Sequence, residues 1–208
     1  RYGIKGKMGL GVGATDLKAL AKRIGKDHSL ALKLWATGIY DARILASLVD
    51  DPAKVTEKQT ERWVRDFDSW AVCDTACMYL FDKTSFAYDK VFEWSKREEE
   101  FVKRAAFVLM AVLAVHDKKA PDSAFVKMLP LIVRESTDER NYVRKAVNWA
   151  LRQIGKRNLA LNARAIGIAE AVKRIDTRSA RWIATDALRE LTSGDVRRRL
   201  ASRSRNQR

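Results

Sequence analysis

Trp70 and Asp74 stand four residues apart in the stretch Asp66-Phe67-Asp68-Ser69-Trp70-Ala71-Val72-Cys73-Asp74. Four residues are about one helical turn, so on a helix the two side chains point the same way. A fixed carboxylate can stabilise positive charge as it develops, and an indole offers an electron-rich face to a cation. The acid calls for a reason because 41 Lys and Arg oppose 26 Asp and Glu, a net charge of +15. On the working face of so basic a chain, an acid weakens the hold on a polyanion. Plainer readings stay open: a Trp at helical spacing is more often core, and a lone Asp more often a cap or salt-bridge partner.

An isoelectric point near 10.0 points to a polyanionic partner, nucleic acid ahead of an anionic membrane surface. No apolar run approaches the roughly 18 residues of a membrane span. Hydrophobic residues at 47% of a 208-residue chain suffice for one substantial core. Cys73 and Cys77 are too few for a disulfide framework and read as buried thiols in a reducing compartment. His28 and His116 have no Cys or His partner at metal spacing, so no zinc site is legible and no metal is expected. The chain opens on Arg1 rather than Met, so its N-terminus is expected to be incomplete.

Helix signals recur with short gaps and no hairpin dipeptide interrupts them. Asp27 opens a helix over 28–37 that Gly38 closes, and Thr56-Glu57-Lys58-Gln59 forms a capping box. Ser69 or Asp68 caps a helix over 70–81, and Pro130 should kink or split one over 123–134. Phe101-Val102-Lys103-Arg104-Ala105-Ala106 reads like Tyr142-Val143-Arg144-Lys145-Ala146-Val147, 41 residues on. Segments at Arg178-Ser179-Ala180-Arg181-Trp182-Ile183 and, more loosely, at Tyr40-Asp41-Ala42-Arg43 continue the series. A period near 40 with two helices per unit is that of HEAT-type arrays. The expected architecture is an all-α solenoid of HEAT-like helix pairs, one domain over 1–208, with a basic concave face and a basic C-terminal tail over 195–208. Arg104 and Lys145 share a repeat position and Arg43 is their counterpart; equivalent helices laid side by side would line that face with cations. The plainer reading gives each Arg a solvated helix face or an acid partner. Trp35, Trp63, Trp94 and Trp182 read as packing.

The chain resembles the AlkD-like DNA alkylation-repair glycosylases, HEAT-like solenoids that remove alkylated purines. The resemblance runs along nearly the whole chain: Arg1-Tyr2-Gly3-Ile4, Leu32-Lys33-Leu34-Trp35-Ala36-Thr37-Gly38, Asp68-Ser69-Trp70-Ala71-Val72-Cys73-Asp74, Phe101-Val102-Lys103-Arg104 and Val147-Asn148-Trp149-Ala150-Leu151-Arg152. It implies Asp74 as the catalytic carboxylate, Trp70 and Trp149 as the aromatics that cradle the damaged nucleotide, and Arg104 as a backbone contact. Further DNA-backbone candidates are Arg43, Lys103, Arg144, Lys145, Arg152 and Tyr2. Many relatives carry an acid where this chain has Ala71, a departure inside the central motif. The implied function is monofunctional hydrolysis of the N-glycosidic bond of positively charged N3- or N7-alkylpurines. The substrate is alkylated double-stranded DNA, and the enzyme a cytoplasmic, nucleoid-associated monomer without cofactor. The alternative is a catalytically inactive HEAT-like protein that binds damaged or branched DNA, or RNA. A protein-binding scaffold is a third reading, which the net charge disfavours.

Overall fold

A computed structural model describes residues 9–205, apart from the side chain of Ser204. Among them there are thirteen α-helices and no strand. The chain divides into two compact units, one ending at Asp89 and the other beginning at Lys90.

The first unit contains α1 (Ala14–Ile24), α2 (His28–Ala36), α3 (Tyr40–Val49), α4 (Glu57–Arg65), α5 (Trp70–Tyr79) and a single 3-10 turn, Phe81–Lys83. Its boundary falls within α6 (Ala87–Trp94). Polar side chains start three of these helices by accepting from exposed first-turn amides: Asp27 from Leu30 N at 2.9 Å, Thr56 from Gln59 N at 3.1 Å, and Ser69 from Val72 N at 3.4 Å. The capping box at Thr56 is only half made. The Gln59 amide turns instead to the buried Asp50 carboxylate at 2.7 Å, which also meets His28 Nδ1 at 2.7 Å. A buried carboxylate needs such partners more than a helix end does. Nearby, the Trp35 and Trp63 rings stack with centroids 3.9 Å apart, and Phe67 and Phe81 extend the cluster.

The second unit contains α7 (Glu100–His116), α8 (Asp122–Val126), α9 (Leu129–Glu135), α10 (Asn141–Gly155), α11 (Leu159–Lys173), α12 (Arg178–Leu191) and α13 (Gly194–Arg205). The helix expected over 123–134 is split, and Pro130 stands in the first turn of α9, where its missing N–H costs nothing. In α7 every residue from Val102 to Ala114 is buried, which makes it the central helix of its unit. Each fully buried Val, Leu, Phe or Met there contributes about 1.5–3 kcal/mol. Gly155 ends α10 where α11 and α12 close in: a Cβ there would lie 2.7 Å from Leu191 Cδ2 and 2.9 Å from the Ala165 Cβ.

The burial pattern confirms the repeat. Cys73, Ala76 and Cys77 of α5, with Leu80 just past its end, correspond to Val102, Ala105, Ala106 and Leu109 of α7. The pattern recurs at Val143, Ala146, Val147 and Ala150 of α10, and at Ala180, Ile183, Ala184 and Ala187 of α12. One residue further on in each helix stand Asp74, Lys103, Arg144 and Arg181, so Asp74 is the acid in a row otherwise basic. The next row holds Thr75, Arg104, Lys145 and Trp182. No helix among the described residues is long and apolar enough to cross a membrane.

Candidate functional site

Because Ser69 caps α5, Trp70 is its first residue and Asp74 follows one turn later. Val72, Cys73, Ala76 and Cys77 turn inward and are fully buried. The opposite face presents Trp70, Ala71, Asp74 and Met78, all half-buried, to a cleft of about 320 Å³. Leu17 and Lys18 of α1 and Tyr40 and Ile44 of α3 close its other sides. The spacing expectation therefore holds: Trp70 and Asp74 share one cavity.

The surroundings of that cavity are electrostatically mixed. Burial, followed by the charges of Asp41 and Asp68, pushes the Tyr40 phenol above its ordinary value. Asp41 is buried and accepts from the Leu10 amide, which fastens the segment leading into α1 onto α3. Lys18 Nζ lies 5.3 Å from the Tyr79 ring centroid, a cation held beside the same cleft. Behind α5, the Cys77 thiol is pushed well above its ordinary value by burial, then by its interaction with Cys73 and by the nearby Asp74 and Asp82 carboxylates. Both cysteines are reduced and buried, as expected of thiols that only pack. Among the described residues no group of three or more His, Cys, Asp and Glu is placed to hold a metal ion.

The expected phosphate-contacting cations divide by burial. Lys103 is a correction. Its side chain is 8% exposed, with Nζ 2.8 Å from Glu135 and 3.8 Å from Asp138, so it neutralises acids within its own unit. Arg104 is buried as well, and its guanidinium donates to the Tyr142 carbonyl at 2.6 Å, tying α7 to the first turn of α10. Arg43 is packed over the Trp35 ring and donates to the Asp66 carbonyl at 3.0 Å. Arg152 pairs with Glu190 at 2.6 Å and Asp186 at 3.4 Å. Arg144 lies over the Trp182 ring, 5.3 Å from its centroid. Lys145 is exposed, and Trp149, one turn further along α10, is half-buried. Tyr2 lies outside the described residues.

Of the four tryptophans read as packing, Trp35, Trp63 and Trp94 are buried. Trp182 is the exception, 37% exposed on α12. Its repeat counterpart on α10, Lys145, is exposed too, whereas Arg104, the counterpart on α7, is buried. The charge is as unevenly placed as the aromatics. Residues 1–89 hold 14 Lys and Arg against 12 Asp and Glu, and residues 90–208 hold 27 against 14.

The likeness to known proteins follows this arrangement. A family described as DNA alkylation repair enzyme matches residues 1–191. A solved structure from a family related to the HEAT-like repeat DNA glycosylases, with affinity for branched DNA structures, is 23% identical. The alignment covers 89% of this chain and 84% of that one at a TM-score of 0.71, so the two share a fold. A designed armadillo repeat protein solved with a (KR)4 peptide is 15% identical over 86% of this chain and 92% of its own, at a TM-score of 0.44. A search of curated protein sequences finds no match. With its HEAT-like helix pairs, its Trp70–Asp74 cleft and a family match over nearly its whole length, the chain belongs to the DNA alkylation repair enzyme family.

Proposed function

We propose that the protein is a monofunctional DNA glycosylase that hydrolyses the N-glycosidic bond of positively charged N3- and N7-alkylpurines in duplex DNA, working as a monomer in the cytoplasm. The observation that carries this reading is the opening of Trp70 and Asp74 into one cleft of a DNA alkylation repair family member.

The chemistry follows from the substrate's charge. An alkylated purine cation leaves as a neutral base: the C1′–N bond breaks and its electron pair quenches the ring charge. No acid is needed to protonate the leaving group, whereas ordinary glycosidases need two carboxylates. The sugar becomes oxocarbenium-like, and the Asp74 carboxylate beside it stabilises that charge. Asp74 also orients the water that adds to C1′ and takes its proton. Trp70 offers its ring face to the cationic nucleotide, and Trp149 on α10 is the second aromatic proposed to bind DNA, at about 0.5–2 kcal/mol each. Arg104 acts by position, since its bond to the Tyr142 carbonyl fixes the start of the helix that carries Trp149. Lys145, exposed one turn before Trp149, holds a phosphate without reading sequence.

The test is release of 7-methylguanine or 3-methyladenine from methylated duplex DNA, with an abasic product and no strand cleavage. Turnover undiminished by Asp74→Asn would overturn the assignment. Ala71 supports a second reading. It lines the cleft where many relatives carry an acid, and the structural neighbour is described by its affinity for branched DNA. A protein that binds branched DNA tightly and releases no base from any alkylated substrate would establish that reading instead.

A further inference from the structure

The face of α12 that points away from its core carries Arg178, Arg181, Trp182, Thr185 and Arg189, all exposed. Their spacing of three, four, seven and eleven residues from the first is that of one helical stripe. The opposite face, Ala180, Ile183, Ala184, Ala187 and Leu191, is buried, so the stripe is the solvent side of a firmly seated helix. In the middle of three arginines Trp182 keeps 37% of its surface open to solvent, which leaves an aromatic ring available within a cationic stripe.

We infer that this stripe is a nucleic-acid subsite, in which an unpaired base stacks on Trp182 while the phosphates beside it lie on Arg178, Arg181 and Lys145. The inference rests on the DNA-binding part of the function proposed above and adds a site distinct from the Trp70–Asp74 cleft. Three observations support it. Arg144 already lies against the Trp182 ring, its Cζ 5.3 Å from the centroid, and presets the indole in the cation-lined setting that base stacking uses. Lys145, at the repeat position equivalent to Trp182 on the neighbouring α10, is exposed and supplies a further cation. The acids along the stripe compete weakly. Arg181 pairs with Asp176, which is 93% exposed, and such surface pairs contribute little, so a phosphate readily replaces them. Asp186, which meets Arg189, is already engaged by Asn148 at 2.7 Å and Arg152 at 3.4 Å.

The stacking partner must be unpaired. Bases inside a duplex stack on one another and present no ring face to a side chain, whereas single-stranded gaps, overhangs and junctions do. The subsite therefore gives a preference for DNA with an unpaired segment over the same sequence fully paired.

The experiment titrates the full chain against a paired duplex and against the same duplex with a short gap that carries 2-aminopurine. Wild-type protein should quench the 2-aminopurine fluorescence and bind the gapped DNA about tenfold more tightly than the duplex, the size expected for one stacked base. Trp182→Ala should lose both the quench and the preference while keeping its duplex affinity, and Trp182→Phe should retain most of each. Should the alanine variant fold poorly by circular dichroism, Trp182→Lys keeps a long exposed side chain and is expected to abolish the quench in the same way. Undiminished quenching in folded Trp182→Ala, or equal affinity of the wild type for both DNAs, would overturn the subsite and leave the glycosylase reading untouched. Failure of the wild type to bind either DNA at low salt would remove the DNA-binding premise and the subsite with it.

Discussion

The two units differ most in where their charges go. The unit ending at Asp89 is nearly balanced, with 14 basic residues against 12 acidic, and it holds the cleft with Trp70 and Asp74. The unit beginning at Lys90 holds 27 basic residues against 14 acidic, so it carries almost the whole surplus. Asp74 is thus odd against the composition of the chain and ordinary against that of its own unit. The same difference recurs within the repeat, where the row occupied by Asp74 in α5 is basic in α7, α10 and α12. Attraction to a polyanion belongs mainly to one unit, and the carboxylate proposed to face a cationic sugar belongs to the other. The most basic stretch still spends several cations internally, and Lys103 and Arg104 serve the packing of α7.

The sharpest way to break this comparison is to remove each contribution separately. Asp74→Asn is expected to lower single-turnover base release by about a hundredfold or more, while gel-shift affinity stays within about twofold. If affinity fell as far as release, the separation would fail. Lys103→Ala should leave Glu135 and Asp138 with less compensation and lower the stability of the second unit by about 3 kcal/mol, read from urea unfolding. An unchanged unfolding midpoint with weakened DNA binding would return Lys103 to the surface role first expected of it. Gly155→Ala should destabilise the same unit by about 1–3 kcal/mol, because Ala165 and Leu191 must move to admit the methyl group.

Smaller effects come from screening and from pH. Replacing both Arg178 and Arg181 by Ser should reduce the slope of log affinity against log salt by about 2, since each neutralised phosphate contributes about 0.9. The same exchange at Lys22 and Arg23, exposed on α1, should leave the slope unchanged. Acid should act on the second unit through Asp138 and Glu190. Burial pushes both carboxyls up, but the hydrogen bonds and charge of Arg140, and those of Lys156 and Arg152, outweigh it and hold them below their ordinary values of 3.8 and 4.5. Their stabilisation is complete above about pH 5 and is lost as pH falls through the lowered folded values. The thermal midpoint should fall on acidification, and Glu190→Gln should make that fall shallower.

Much of the fold was legible because its signals are local. Asp27, Thr56, Ser69 and Thr177 cap helices from their own sequence positions, and Pro130 splits its helix by its own geometry. Gln59 shows where local reading stops. It completes a capping box on paper, yet its amide goes to Asp50, nine residues earlier, because a buried carboxylate is the more demanding partner. Trp35, Trp63 and Trp94 could be read as packing from their type alone. Trp182 could not, since its row holds the buried Arg104 as well as the exposed Lys145, and only the packing of α12 leaves the ring outside.

By itself the sequence determined the helical periods, the repeat near 40 residues, the charge surplus and the one-turn spacing of Trp70 and Asp74. These depend on the few neighbours that a residue meets along its own helix. Tertiary structure alone decided which cations remain outside. Arg104 and Lys145 share a repeat position, but Arg104 is buried and meets the Tyr142 carbonyl at 2.6 Å, 38 residues along the chain, and Lys145 stays exposed. A buried charge is tolerated only with its partners in place, and partners so far apart in sequence come together only when the helices pack.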